Sequence, residues 1–585
     1  MSWLLSADEL VAQLRPDRVS APNLPVMDIG TRLSDIRLVD YWAEVARRTD
    51  EALAGPEPTL PRSAVWTYLD TGARLPFEDA YFARRRRLSA LGISALAGRA
   101  DAAAALPDRI AAVCEEPSWA LPAHGGWGSG GATPNQSSQI DLFAAETANT
   151  LAELVTAVPG MDERVRTLVT DEVTRRVLDP LADPDTHFGW ETWPNNWSAV
   201  CAGAAGSAAL LLERDEARLV RILDRVLAAL DVYLSGFGAD GGCAEGLGYW
   251  SYGMVHFIGF ADLVERWTEG RVRLADDPRA RAAAAFPARV ALPGGAVITF
   301  SDATDDPIAS SAVGWWQARG IDLPGAPIEV LGQDPCARWL SISRAPLWLP
   351  AEGSAAVQHH DLLPDTGWLV VAEDPFALAV KAGDNAESHN QLDLGQLSLW
   401  VGGEQLLLDP GSGVYTREYF ADETRYDFFE PSSRAHNAPL LDGAQQTLGG
   451  EARAEIVSHD ESSIVLDLTS AHPHATSVRR RVEWSSDLGE VTLVDSLTAD
   501  ARVATWSLVS EVEPVVDGQT VTWQGAHGVL AGSVGSGSIT LERLDTRAHH
   551  GDARTLWMVS VEAALDEGVL DQRVGFRLTR GHQPG

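Results

Sequence analysis

The chain has 585 residues, too many for one ordinary core and enough for two to four domains. Its composition, 45% hydrophobic and 22% charged, is that of a globular protein, and a formal net charge of −36 excludes the basic surface that nucleic-acid binding requires. Four widely spaced cysteines, Cys114, Cys201, Cys243 and Cys336, exclude a disulfide framework or a cysteine-rich zinc site.

The first residues, MSWLLSADELVAQLRPDRV, carry acids within ten positions and no basic stretch ahead of the apolar ones, which is not the pattern of a secretory signal. No segment approaches the length of a membrane span. The expectation is therefore a cytoplasmic protein with no membrane partner. The one short basic run, Arg84 to Arg87, reads as a helix face. Up to about residue 290 the pattern is helical. Apolar residues recur at three- and four-residue spacing over 139–157, 197–212 and 216–234, and the stretches 78–105 and 161–177 are rich in Arg and Ala. Gly and Pro breaks separate them at 159–160, 179–185 and 235–242. Helices joined by short loops predict stacked helical hairpins, an α/α toroid.

After about residue 290 the texture changes. ARVALPGGAVITF reads as extended, and a short helix is expected at 311–319. From 366 onward come short strands: GWLVVAE, FALAVKAG, GQLSLWVGG, EQLLLDPG, SIVLDLT, EVTLVDSL, GSITLERL, TLWMVSVEA and RVGFRLTR. The last alternates Val574, Phe576 and Leu578 with Arg573, Arg577 and Thr579, the period of a half-buried strand. The expected fold is multidomain α+β: a helical domain over 1–340 and an antiparallel β-sandwich over 341–585.

Three segments hold more polar groups than packing needs. TWPNNWSAV places Asn195 and Asn196 at a helix start between Trp193 and Trp197, a polar point between aromatic walls that suits a sugar, although Asn is also an ordinary helix cap. ADGGCAEGLGYWSYGMVHF keeps its backbone open with glycines and carries Glu245, Tyr249 and Tyr252, the two tyrosines three residues apart on one helix face. The third runs from NAESHNQLDLG through DPGSGVYTREYF to SSRAHNAPLLDG and holds His389, Gln391, Asp393, Asp409, Arg434, His436 and Asn437. Twenty tryptophans against nine tyrosines favour either sugar-stacking faces or a tryptophan-rich core.

These segments resemble the heparinase II/III-like polysaccharide lyases, which join an α/α toroid to an antiparallel β-sandwich. Ser388-His389-Asn390, Asp393-x-Gly395, Asp409-Pro410-Gly411 and Ala435-His436-Asn437 match that family's C-terminal pattern, and the NNW and E-G-x-x-Y segments match its helical part. The similarities reach from about residue 120 to 450. The resemblance implies β-elimination on a uronic-acid glycan. It assigns Asn196 to the uronate carboxylate, Tyr249 (or Tyr252, on a one-turn register change) as catalytic tyrosine, and His389 as catalytic histidine. Asn195, Trp197, Glu245 and Arg434 would line the substrate. It also implies one structural zinc held by Asp409, His436 and the residue two beyond His389, which here is Gln391, a poorer zinc ligand than imidazole.

The chemistry needs such residues because a C5 proton beside an ionised carboxylate is too weakly acidic to leave unaided. The carboxylate must first be neutralised and the enolate-like state stabilised. Nearby cations such as Arg434 or protonated His389 would lower the tyrosine pKa. Tyr249 then serves as base and acid, or His389 takes the proton and Tyr249 returns one; the sequence leaves both open. It also leaves open a uronyl C5-epimerase on the same scaffold, a glycoside hydrolase using Asp240 and Glu245, and a binding protein without catalysis. The expected partner is an acidic oligosaccharide or polysaccharide; a homo-oligomer is compatible with the sequence, which sets neither stoichiometry, glycan, nor endo or exo action.

Overall fold

The structure is a computed structural model that describes residues 5–17, 23–125, 139–304, 306–351 and 358–581. The chain divides into two compact units whose sequences interleave. The first comprises residues 1–237, 250–284 and 308–353; the second comprises 238–249, 285–307 and 354–585.

The first unit is helical. The periodic stretches form helices at Leu142–Ala157, Asn196–Leu212 and Glu216–Ser235. The stretch 78–105 is two helices, Leu75–Leu96 and Ala100–Cys114, because Gly98 adopts a left-handed φ of 93° between them. Helix starts are capped by side chains: Asp141 accepts from Ala144 N–H and Asp215 from Arg218 N–H. Small residues let helices approach closely; a Cβ on Gly203 would lie 2.5 Å from the His256 carbonyl oxygen. Arg84 and Arg85 are buried, and both guanidinium groups bind Glu116 at 2.7 Å. The basic run therefore pins helices together. Most tryptophans serve packing, since Trp119, Trp250, Trp267, Trp315 and Trp316 are fully buried here.

The second unit is built on three antiparallel sheets, of five, nine and four strands. All nine strand segments expected from residue 366 onward form, from Trp368–Glu373 to Val569–Arg580. The alternation in the last strand holds: Val574, Phe576 and Leu578 are buried while Arg573 and Arg577 are exposed. One apolar core draws on every sheet, with Leu399 and Val401 from the first, Val482 and Phe576 from the second, and Leu508 and Val561 from the third. The stretch 288–300 differs from its extended reading. It joins no ladder, because Pro293-Gly294-Gly295 turns the chain, with φ of 70° and 75° at the two glycines. The short helix expected at 311–319 is Ser310–Gln317.

Among the described residues no helix is long and apolar enough to cross a membrane, and all four cysteines are free.

Candidate active site

Three backbone segments of the second unit meet around Ala303. A Cβ on Gly246, whose φ is +87°, would lie 2.8 Å from the Ala303 Cβ, and one on Gly411, φ +64°, would lie 2.4 Å from the Ala303 carbonyl oxygen. Only glycine fits at both places, so the loop bearing Asp302 sits against the turns that lead to Tyr249 and to Tyr415. Tyr249 lies in the first turn of the helix Leu247–Trp267, on the part of it that belongs to the second unit rather than to the helical one. His389 has a left-handed backbone, φ 56°, with its carbonyl accepting from Asp302 N–H at 3.2 Å. Strain at a histidine beside a buried carboxylate is the kind of outlier that marks a functional position.

Asp302 is fully buried and takes five donors. Its Oδ2 accepts from Arg425 at 2.9 Å and from His389 Nδ1 and the Tyr415 hydroxyl, each at 3.2 Å; its Oδ1 accepts from Gln391 and the Tyr419 hydroxyl, each at 3.0 Å. Burial alone would raise its pKa, but donation from His389 and the charge of Arg425 hold it well below the usual carboxylate range. With Nδ1–H turned to Asp302, the His389 Nε2 carries the lone pair; it faces Glu245 Oε1 at 3.7 Å, beyond hydrogen-bond reach. The Tyr249 ring stacks on His389 with centroids 4.3 Å apart, and its hydroxyl lies 2.6 Å from the Tyr415 hydroxyl and 3.4 Å from His389 Nδ1. Phe420, 43% exposed, stands edge-on to both His389 and Tyr415.

The Tyr249 phenol is pushed up from its ordinary value, first by burial and then by the Asp302 charge, with only partial relief from Tyr415. That corrects the expectation of a lowered tyrosine. The expected neighbour Arg434 instead pairs its half-exposed guanidinium with Glu542 at 2.6 Å. Arg425 is the cation of the cluster, and it is already engaged by Asp302 and the Asn390 carbonyl.

The remaining expected residues divide. Tyr252 points elsewhere: its hydroxyl donates to Glu146, and Arg338 lies over its ring at 4.1 Å. Asn195 is the cap of the helix Asn196–Leu212, accepting from Trp197 N–H. Asn196 is buried with an amide oxygen that has no hydrogen bond, and such a group calls for an explanation. Trp197 stands edge-on to Trp193 and His124. Asp240 accepts from the backbone N–H groups of Gly242, Asp365 and Thr366, so both its oxygens tie loops together. That removes half of the acid/base pair a hydrolase would need.

Of the expected metal ligands, Asp409 and His436 are buried, with Oδ2 and Nδ1 3.1 Å apart. His436 Nε2 lies 3.1 Å from the Glu430 carbonyl, which can only accept, so that nitrogen carries a proton; burial would lower the ring's pKa, but the charge of Asp409 facing Nδ1 raises it. Asp409 Oδ2 and His436 Nδ1 have only each other as partners, and the buried Gln391 Oε1 makes no hydrogen bond. Two ligands of one zinc stand about 3.3 Å apart on a tetrahedral edge, so the pair fits a cation. Among the described residues no three His, Cys, Asp or Glu side chains could hold a metal ion together.

The architecture is that of solved glycan lyases. Heparinase III superposes with a TM-score of 0.62 at 14% identity, covering 97% of this chain and 94% of its own. The heparan sulfate lyase HepC of Pedobacter heparinus gives 0.55 at 13% identity, covering 93% and 89%. The chondroitin AC lyase of Streptomyces coelicolor A3, solved with chondroitin sulphate, gives 0.55 at 12% identity, covering 99% and 83%. Residues 356–567 match the family described as Heparinase II/III-like, C-terminal. The resemblance read from the motifs is thereby borne out, as is the order of a helical region followed by antiparallel sheets. No curated protein matches the chain.

Five residues of this cluster, Asp302, Tyr415, Tyr419, Phe420 and Arg425, are not singled out by the sequence. Asp302, in SDATDD, looks like any polar turn; Tyr415, Tyr419 and Phe420 lie in DPGSGVYTREYF without a spacing that singles them out, and Arg425 follows in a stretch without a motif.

Proposed function

We propose that the chain is a polysaccharide lyase that cleaves a uronic-acid-containing glycan by β-elimination. One observation carries the reading: Tyr249, His389 and Tyr415 share hydrogen-bonding distance around a single buried carboxylate.

The division of labour follows from the electrostatics. A phenol whose pKa is raised is a proton donor, not a resting base. His389 Nε2 accepts the C5 proton, while Asp302 holds Nδ1–H and stabilises the imidazolium that forms. The C5–H electron pair becomes the C4–C5 double bond and the C4–O4 bond breaks. Tyr249 then gives its proton to O4, and exchange with water resets both groups, His389 Nε2 losing the proton it took and the Tyr249 phenolate regaining one. Asn196 remains the proposed amide donor to the uronate carboxylate, on the motif resemblance alone. Phe420, exposed beside His389, supplies a flat face for a pyranose. A C5-epimerase would use the same first step, but a donor paired to the catalytic histidine suits departure of O4.

The test is ultraviolet absorbance of the unsaturated uronate across heparan sulfate, chondroitin sulfate and alginate. Wild type should produce it on at least one, and Tyr249→Phe and His389→Ala should lower the rate by about 10³-fold or more while circular dichroism stays native. Near-wild-type rates in both variants would end the assignment.

We further propose one zinc on Gln391, Asp409 and His436, which when bound would tie the loops behind the site and take no part in proton transfer. Elemental analysis should find about one zinc per chain, more firmly held in Gln391→His, and chelation should lower the melting temperature. A metal-free preparation with an unchanged melting curve would dismiss it.

A further inference from the structure

The hairpin formed by Ser538–Arg547 and Ala553–Ala564 lies more than 100 residues beyond the last motif, yet its tip reaches the Tyr415 loop. Three side chains grip residues 410–415 and their neighbour Glu430. Arg554 donates to the Pro410 carbonyl at 2.7 Å, Thr546 donates to Glu430 Oε1 at 2.9 Å, and a Cβ on Gly413 would lie 2.9 Å from that same Glu430 carboxyl. At the tip, His549 Nδ1 lies 3.2 Å from the Gly413 carbonyl and 3.1 Å from Ser412 Oγ. The carbonyl can only accept, so Nδ1 carries the proton. The His549 ring then meets Tyr415 edge-on, with centroids 4.3 Å apart at 89°. Burial, with the neighbouring His550, pulls its pKa down to about 4, so the ring is neutral when it does this.

We propose that His549 is a positioning residue that holds Tyr415 with its hydroxyl between Tyr249 and Asp302. It touches none of these reacting groups itself and acts only through Tyr415. The effect on turnover rests on the lyase reading; the positioning does not.

The experiment labels the full chain with 3-fluorotyrosine and assigns the Tyr415 ¹⁹F resonance by its loss in Tyr415→Phe. His549→Ala should move or split that resonance. Arg543→Ala, an exposed change on the same hairpin, should leave it in place. On whichever of heparan sulfate, chondroitin sulfate or alginate the wild type cleaves, His549→Ala should lower kcat about tenfold with KM within about twofold, since small displacements of a catalytic group act on the chemical step. A folded His549→Ala with an unmoved Tyr415 signal overturns the proposal. If that variant does not fold, His549→Phe, which keeps the ring and removes the donor, is judged by the same criterion. A moved signal in a chain that cleaves no uronate glycan would uphold the positioning and remove only the lyase reading.

Discussion

Asp302 in the β-rich unit and Glu146 in the helical unit are both carboxylates withdrawn from water, and they end in opposite states. Asp302 is surrounded by five donors, one of them a guanidinium, and stays ionised. Glu146, with 10% of its side chain exposed, takes one donor from Tyr252, while His256 stands 3.9 Å away. Burial therefore wins there and pushes its pKa up to about 7. Each carboxylate sits beside one of the two tyrosines three residues apart in the sequence. The comparison teaches that donors, not burial or residue type, separate a poised site from a packed one.

The sharpest way to break the comparison is to neutralise both. Asp302→Asn keeps the shape but offers His389 Nδ1 an amide that can reverse the ring tautomer. Turnover should fall by about 10³-fold or more, as in other histidines that lose an orienting carboxylate. Glu146→Gln should leave turnover within about twofold. Comparable losses in the two variants would show that the donor count does not distinguish them. The tyrosines give the next contrast: Tyr252→Phe should keep turnover within about threefold under conditions where Tyr249→Phe is inactive, and an inactive, folded Tyr252→Phe would move the chemistry to the helical unit.

Acidity gives a smaller effect with a definite sign. The Glu146 pKa rises from 4.5 to about 7 on folding, so between those values the folded state holds a proton that the unfolded state has lost. Stability therefore falls as pH rises from 4.5 to 7 and is flat above. The shift corresponds to roughly 3 kcal/mol at neutral pH. Glu146→Gln removes this slope, and Arg338 keeps its partner Asp334 at 2.9 Å. The variant's melting-temperature gain over wild type should be larger at pH 8 than at pH 5. An equal gain at both values would mean that Glu146 is not held protonated.

What the sequence disclosed follows the same division. The strands were legible because each alternates or runs apolar against a core that every sheet feeds. The SHN, D-x-G and A-H-N letters were legible as a set, but not their separate tasks. Asp393 binds the buried Lys381 ammonium at 2.7 Å, while Gly395 and Asn437 receive the guanidinium of Arg480, itself paired to Asp495. These residues build the sheet ends behind His389. Lys381 and Arg480 each lie on a strand among ordinary neighbours, and nothing local marks them as buried cations. Asp302 and His549 were illegible for a related reason: each acquires its role from long-range packing that no spacing encodes, around Gly246 and Gly411 in one case and at a hairpin tip in the other.

The two arginines make the last and smallest test. Arg434 stood beside the A-H-N letters, and Arg425 lay nine residues earlier in a stretch without a motif. Arg434 is 51% exposed and Glu542 is 49% exposed, so water and salt screen their contact. Exposed pairs of this kind contribute about 0–1 kcal/mol. Arg434→Ala should therefore change the melting temperature by no more than about 2 °C and turnover by no more than about twofold. Arg425, by contrast, has 10% of its side chain exposed and donates to Asp302, Asn390 and Tyr419. Removing it leaves a buried carboxylate short of its counter-charge, which costs about 3–5 kcal/mol in comparable pairs. Arg425→Ala should accordingly lose both stability and turnover, and a folded, fully active Arg425→Ala would mean that Asp302 needs no cation to stay ionised.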